Sequence, residues 1–191
     1  MELYIARHGE TISAVNNIIL GNGGDSPLTI KGIEEAKTLG ESFRHITFDA
    51  MYTSPLERAL NTIDIAFSGK YTPIVDERLT GIGLGAAEGL TWEKAYIEFP
   101  NLESFMSNPI SYIPPPQGEK LNDLIERVDS FLNDIIKTNY SKIFILTHGY
   151  ILRAIYACTI DKLISSIGNA PEYKNCETVH YSYMNKTWKL I

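Results

Sequence analysis

Two short apolar runs in this chain end in the same way, and that shared ending constrains the fold more than any other feature. Leu3-Tyr4-Ile5-Ala6 runs into Arg7-His8-Gly9-Glu10-Thr11, and far downstream Lys142–Thr147 runs into His148-Gly149. Runs of this length and composition suit buried strands, and buried strands alternating with helices indicate a largely parallel α/β sheet covered on both faces. Such a sheet gathers its ligands at the carboxyl ends of its strands. Two strand-end histidines, each followed by glycine, are therefore expected to form halves of one site.

The remaining pattern fits that frame. Further strands are predicted at Asp49–Thr53, Glu177–Met184 and Thr187–Ile191, the last two joined as a hairpin across Asn185-Lys186. Ile33, Ala36, Leu39, Gly40 and Phe43 mark one face of a helix from about Thr29 to Arg44. The cleanest helical period runs from Leu121 through Leu124, Ile125, Val128, Phe131 and Leu132 to Ile135 and Ile136. With no internal repeat or linker, one domain over residues 1–191 is expected. Residues 90–117 read as an excursion carrying Trp92, Tyr96, Phe99, Phe105, Met106 and Tyr112 before Pro114-Pro115-Pro116. It is either a surface insertion with its own apolar cluster or a cover for the site.

Composition narrows the partners. A formal net charge of -6 argues against nucleic acid or an anionic membrane as the main partner. No apolar run approaches the ~20 residues that span a bilayer, so no membrane segment is expected. No basic region followed by an apolar run opens the sequence, and Cys158 and Cys176 match no metal spacing. Reduced thiols and a cytoplasmic location are the expectation.

Thr53-Ser54-Pro55-Leu56-Glu57-Arg58 reads as a helix start, with Ser54 as the cap, Pro55 in the first turn and Glu57 completing a capping box. Arg58 then leans back toward the same strand-end crevice as Arg7. A cation held against the helix dipole makes sense where an anion lies between it and the free N–H groups. Two guanidinium forks and two imidazoles suit a tetrahedral oxyanion: the forks bind phosphate oxygens, and a neutral imidazole offers a lone pair to phosphorus. His45 and His180 lack such a neighbourhood. Arg153, one turn into the helix after His148, either faces the pocket or is a solvated helix residue, Tyr150 could narrow the pocket mouth, and Gly21-Asn22-Gly23-Gly24 reads as a turn.

These residues resemble the histidine phosphatase superfamily, in its phosphoglycerate mutase-like branch and closest in character to the short ribazole-phosphate phosphatases. The matching stretches are Arg7-His8-Gly9-Glu10-Thr11, Asp25-Ser26-Pro27-Leu28-Thr29 with Gly32, Ser54-Pro55-Leu56-Glu57-Arg58-Ala59 with Thr62, Glu88-Gly89, Gly118-Glu119 and Thr147-His148-Gly149. The resemblance implies a three-layer α/β/α sandwich, a phosphohistidine on His8, and Arg7, Arg58 and His148 holding the phosphoryl group. Gly9, Thr11 and Gly149 would help bind substrate, and neither metal nor cofactor would be needed. The substrate would be a small phosphomonoester or a phosphoprotein, acted on by a monomer or homodimer.

The chain departs from that pattern in two places. The family's general-acid glutamate falls on Gly81, which leaves Glu10, Glu88 or Glu119 as replacements, or else a substrate that departs without help. The family's asparagine and glutamine near the phosphate fall on Ala14 and Leu20, with Asn16 or Asn22 as substitutes after a small shift. Between Leu79 and Gln117 the only basic residue is Lys94, against Glu88, Glu93, Glu98 and Glu103. A wall so charged would repel a second anion and favours a phosphatase over a mutase-type phosphoryl transfer. A catalytically weak phosphate- or partner-binding module is the third reading, against which stands the retained His8.

Overall fold

The alternation within the two signature runs settles how the sheet is buried. In the computed structural model, which describes residues 1–191, strands β1 (Glu2–Arg7), β2 (Ala50–Thr53), β3 (Ile74–Val75), β4 (Lys142–Thr147), β5 (Thr178–Met184) and β6 (Thr187–Leu190) form one sheet in the order β3-β2-β4-β1-β5-β6. Leu3 and Ile5 of β1, with Ile143 and Ile145 of β4, join one apolar cluster; Ala6, Phe144 and Leu146 join the other. Both faces are thus apolar, which only helices on both sides can satisfy. Each fully buried Leu, Ile or Phe contributes about 1.5–3 kcal/mol.

Eight helices provide that cover: α1 (Ile12–Val15), α2 (Ile30–Ser42), α3 (Glu57–Phe67), α4 (Trp92–Glu98), α5 (Ser104–Ser107), α6 (Leu121–Ile135), α7 (Gly149–Ile160) and α8 (Ile164–Asn169). Leu39 and Phe43 from the α2 region and Ala59 and Ile63 of α3 close one face. Seven buried residues of α6 from Leu121 to Ile135, falling on one face of the helix, close the other together with α7. The expected three-layer sandwich is the observed fold. Thr29 caps α2 by accepting the Gly32 N–H at 2.9 Å.

Parallel pairing of β1 with β4 and of β4 with β2 places Arg7 opposite Thr147 and Thr53 opposite Leu146. The chain therefore leaves β1, β4 and β2 side by side, at the same edge of the sheet. The C-terminal pair is antiparallel, and Asn185 and Lys186 take φ of 52° and 62°, as a two-residue hairpin turn requires. The short strand β3 has no signal in the sequence: its two residues are both exposed.

The excursion is not a separate surface cluster. Ala95, Leu102, Phe105 and Tyr112 are buried in the same cluster as Leu3 and Ile5. Phe105 stacks on Tyr150 of α7 with ring centroids 4.0 Å apart, and the Tyr150 hydroxyl donates to the Phe105 carbonyl at 2.8 Å. The reading as an insertion with its own core is corrected by that packing.

Candidate active site

Each of the three adjacent strand ends delivers one part of the site. Arg7 ends β1 and His8 follows it; His148 follows β4; Arg58 stands in the first turn of α3, just after β2. All four line one cavity of about 570 Å³, with the two imidazole centroids 5.1 Å apart. His8, Arg58 and His148 are 7%, 3% and 5% exposed.

The partner of one ring nitrogen sets what the other can do. His8 Nδ1 lies 2.8 Å from the Gly9 carbonyl. A carbonyl only accepts, so Nδ1 carries the proton and Nε2 keeps its lone pair, with no protein partner. Burial, then the charges of Arg58 and Arg7, push the His8 pKa down to about 3. His8 is a neutral base at neutral pH. The Asn175 amide donates to the His8 carbonyl at 2.8 Å and holds the backbone in place.

His148 is held the other way round. Its Nε2 meets Ser54 Oγ at 2.7 Å, while its buried Nδ1 has no protein partner. Ser54 Oγ also accepts the Leu56 N–H at 3.3 Å, and its own hydroxyl proton has no acceptor but the imidazole. Nε2 therefore accepts and Nδ1 is left as an unspent donor. Burial, then His8 and the neighbouring arginines, hold this ring's pKa well below its ordinary value.

Arg58 is clamped from behind. Its Nη1 donates to the Gly24 carbonyl at 2.9 Å and to Asp25 at 3.2 Å, and Nη2 donates to the Gly21 carbonyl at 2.9 Å. The Nε–H and one Nη2–H remain for an anion. Burial lowers the Arg58 pKa, and Asp25 works against that shift. Arg7 donates from Nη1 to the Tyr173 carbonyl at 3.0 Å, and its buried Nε is without a partner. Unpartnered donors on Arg7 and His148 and the free edge of Arg58 line the same cavity as the neutral His8 ring, a set of groups that suits an oxyanion.

The other predicted residues divide between the cavity wall and its surroundings. Thr11 and Gly149 line the cavity, and the Thr11 hydroxyl oxygen also accepts the Ala14 N–H at 3.3 Å as the cap of α1. Gly9 does not line it: its N–H donates to Thr62 at 3.0 Å, and it is a glycine because a Cβ would meet the Gly32 carbonyl at 2.6 Å. Glu10 is taken by Lys31 at 2.7 Å and Thr29 at 2.8 Å. Glu88 accepts three backbone N–H groups, from Asn22 (3.1 Å), Gly23 (2.9 Å) and Leu84 (2.8 Å). Glu119 is paired with Arg127 at 2.6 Å. None of these three carboxylates lines the cavity, whereas Gly81 does. The proposed replacement acids are thus committed to holding backbone or cations.

Further corrections concern the walls. Ser54 does not cap α3, which begins at Glu57; Asp25 accepts the Arg58 N–H at 3.2 Å instead, and the Ser54 hydroxyl serves His148. Asn17, rather than Asn16 or Asn22, lines the cavity beside Ala14 and Leu20. Trp92, Tyr96, Phe105 and Met106 of the excursion face it, but Glu88, Glu93, Glu98 and Glu103 do not, and Arg153 does. The acidic wall expected to repel a second anion is therefore not in the cavity. Glu172, which sequence reasoning missed, is the only carboxylate lining it. An exposed glutamate after a proline carries no local signal of this role. His45 and His180 lie outside, bonded to Arg44 and Glu2. No three His, Cys, Asp or Glu side chains converge as a metal-binding group, and no helix is long and apolar enough to cross a membrane.

The family model described as histidine phosphatase superfamily (branch 1) matches residues 3–191. The chain belongs to this superfamily. Among solved structures, Bacillus stearothermophilus YhfR superposes with a TM-score of 0.91 at 31% identity, covering 99% of this chain and 94% of that one. A 2,3-bisphosphoglycerate-dependent phosphoglycerate mutase of Methanococcus vannielii is 32% identical over 187 residues, 81% of this chain and 79% of the mutase. An adenosylcobalamin/alpha-ribazole phosphatase of Salmonella typhi is 30% identical over 165 residues, 82% of this chain and 78% of the phosphatase. The histidine phosphatase described here is thus an enzyme of the phosphatase and mutase kind, similar to proteins that handle small phosphate esters.

Proposed function

We propose that this histidine phosphatase is a metal-independent phosphomonoesterase working through His8. In the first step the Nε2 lone pair forms a bond to phosphorus as the ester P–O bond breaks, and the leaving oxygen departs as the oxyanion or takes a proton from water. In the second, water attacks the phosphohistidine, the P–N bond breaks, and phosphate departs with His8 restored. Arg7, Arg58 and the His148 Nδ1–H bind the three equatorial oxygens, where charge collects during transfer. The observation that carries this reading is the His8 ring: buried, neutral, its Nδ1–H spent on the Gly9 carbonyl and its Nε2 free in the cavity. Labelled substrate quenched in alkaline detergent, since a phosphoramidate is labile to acid, should leave label on wild type and none on His8→Ala. No label on wild type with any donor would favour a phosphate-binding module instead.

Without a side chain at Gly81, protonation of the leaving group has no dedicated donor. General acid catalysis contributes about 10²–10⁴-fold, most for poor leaving groups. We infer a preference for esters that depart readily, such as aryl phosphates, against the aromatic wall of Trp92, Tyr96 and Phe105. The expected result is p-nitrophenyl phosphate turned over about 10²-fold or more faster than an alkyl phosphate. Equal rates on both, with the alkyl rate alone lost in Glu172→Gln, would make Glu172 the acid and remove the preference. Arg153 in the same cavity supports the second reading, a mutase holding a second anion. Appearance of 2-phosphoglycerate from 3-phosphoglycerate with a bisphosphoglycerate primer would establish it.

A further inference from the structure

The Glu88 carboxylate is the hub of a loop that it does not belong to. It accepts the N–H groups of Asn22, Gly23 and Leu84, and so ties the Gly21–Gly24 turn to the segment after Gly81. The sequence of that turn fits the tie: Gly21 has φ +56°, and a side chain at Gly21 or Gly23 would run into the carboxylate. The same turn turns two carbonyls the other way, Gly21 and Gly24, each 2.9 Å from an Arg58 nitrogen. Gly81 packs against this arrangement, for a Cβ there would lie 2.8 Å from the Gly21 carbonyl and 3.4 Å from Arg58 Nη2.

We propose that Glu88 is a positioning residue for Arg58, acting through the Gly21–Gly24 turn, and that Gly81 is a glycine so that the Gly21 carbonyl can reach the guanidinium. The proposal rests on reading Arg58 as a phosphoryl ligand. Three of the five guanidinium N–H groups are fixed from behind by Gly21, Gly24 and Asp25, which aims the remaining edge without using a contact to substrate. A side chain at Gly81, where the family resemblance places an acid, would crowd the carbonyl that holds the arginine. Consequently Gly81→Glu does not simply restore a proton donor; it also pushes on the clamp.

The test is a double-mutant cycle read by calorimetric binding of orthovanadate, a phosphoryl mimic, together with thermal unfolding. Glu88→Ala is expected to weaken vanadate about tenfold or more, the effect of misplacing a charged hydrogen-bond donor. In an Arg58→Ala background the same substitution should cost less than about twofold, while its effect on unfolding temperature persists. Gly81→Ala, which disturbs the same carbonyl from the other side, should also weaken vanadate and also lose its effect without Arg58; it serves where Glu88→Ala does not fold. Equal losses in both backgrounds would make Glu88 a general structural residue and overturn the proposal. Wild-type affinity in folded Glu88→Ala would do the same. Arg58→Ala binding vanadate as wild type does would instead sink the underlying reading of Arg58, and the proposal with it.

Discussion

His8-Gly9 and His148-Gly149 are near copies in sequence, both following parallel strands that pair with one another, and both rings carry their proton on Nδ1, yet the structure leaves opposite nitrogens of the two rings free. His8 gives its Nδ1–H to the next residue's carbonyl and keeps a free lone pair on Nε2. His148 receives a hydroxyl proton from Ser54 on Nε2 and keeps a free donor on Nδ1. On the proposed mechanism, the free lone pair of one ring attacks phosphorus and the free donor of the other binds the charge that the attack produces. The lesson is that the strand-histidine-glycine signature sets the place of an imidazole, and the partner of its second nitrogen sets the role.

The largest effect should come from breaking the nucleophilic half. His8→Ala is expected to lower kcat by at least about 10³-fold and to abolish phosphoenzyme, as measured by steady-state turnover and label trapping. The donor half should cost less. His148→Ala is expected to lower kcat about 10²–10³-fold. Ser54→Ala, which keeps the ring but releases its tautomer, should lose about tenfold in kcat with KM nearly unchanged and recover in part as Ser54→Thr. A Ser54→Ala enzyme with full activity would refute the assigned asymmetry.

Both rings share one property, neutrality, and it has a pH signature in stability. The His8 pKa falls from an ordinary 6.5 to about 3 on folding, so between these values the unfolded chain binds protons that the native protein does not. Stability contributed by the neutral ring is present above pH 6.5 and lost as pH falls toward 3, with a slope of at most about 1.4 kcal/mol per pH unit for this group. Denaturant melts of wild type and His8→Asn from pH 7 to 4 should show the shallower slope in the variant. The smallest effect belongs to Glu10, held outside the cavity by Lys31 and Thr29. Glu10→Gln should leave turnover of aryl and alkyl phosphates within about twofold, and a selective loss on the alkyl ester would restore it as an acid.

Much of the scaffold was open to reading from the residues. Lys142–Thr147 is a strand as expected, α2 begins at Ile30 beside the expected start at about Thr29, and the Asn185-Lys186 turn joins a hairpin. These follow from local rules: alternation, helical period, capping and turn chemistry act over a few residues. Arg7, His8, Arg58 and His148 were found for a related reason, since strand ends and a helix start mark where side chains can meet. Ser54 was misread because a serine before a proline is the ordinary signal of a cap, and nothing local reveals a histidine 94 positions away.

By itself, then, the sequence determined the layered α/β architecture, the family, and the three strand-end side chains and one helix-start arginine that share the cavity, because each is written in short-range pattern. Only the tertiary structure decided which strands lie adjacent, which imidazole keeps a lone pair, and which carboxylates are spent. Glu88 on the Gly21–Gly24 turn, Arg153 and Glu172 in the cavity, and the excursion's aromatic face all depend on contacts between distant segments. Charge and hydrogen-bonding state are properties of a side chain's surroundings, and those exist only once the chain has closed around them.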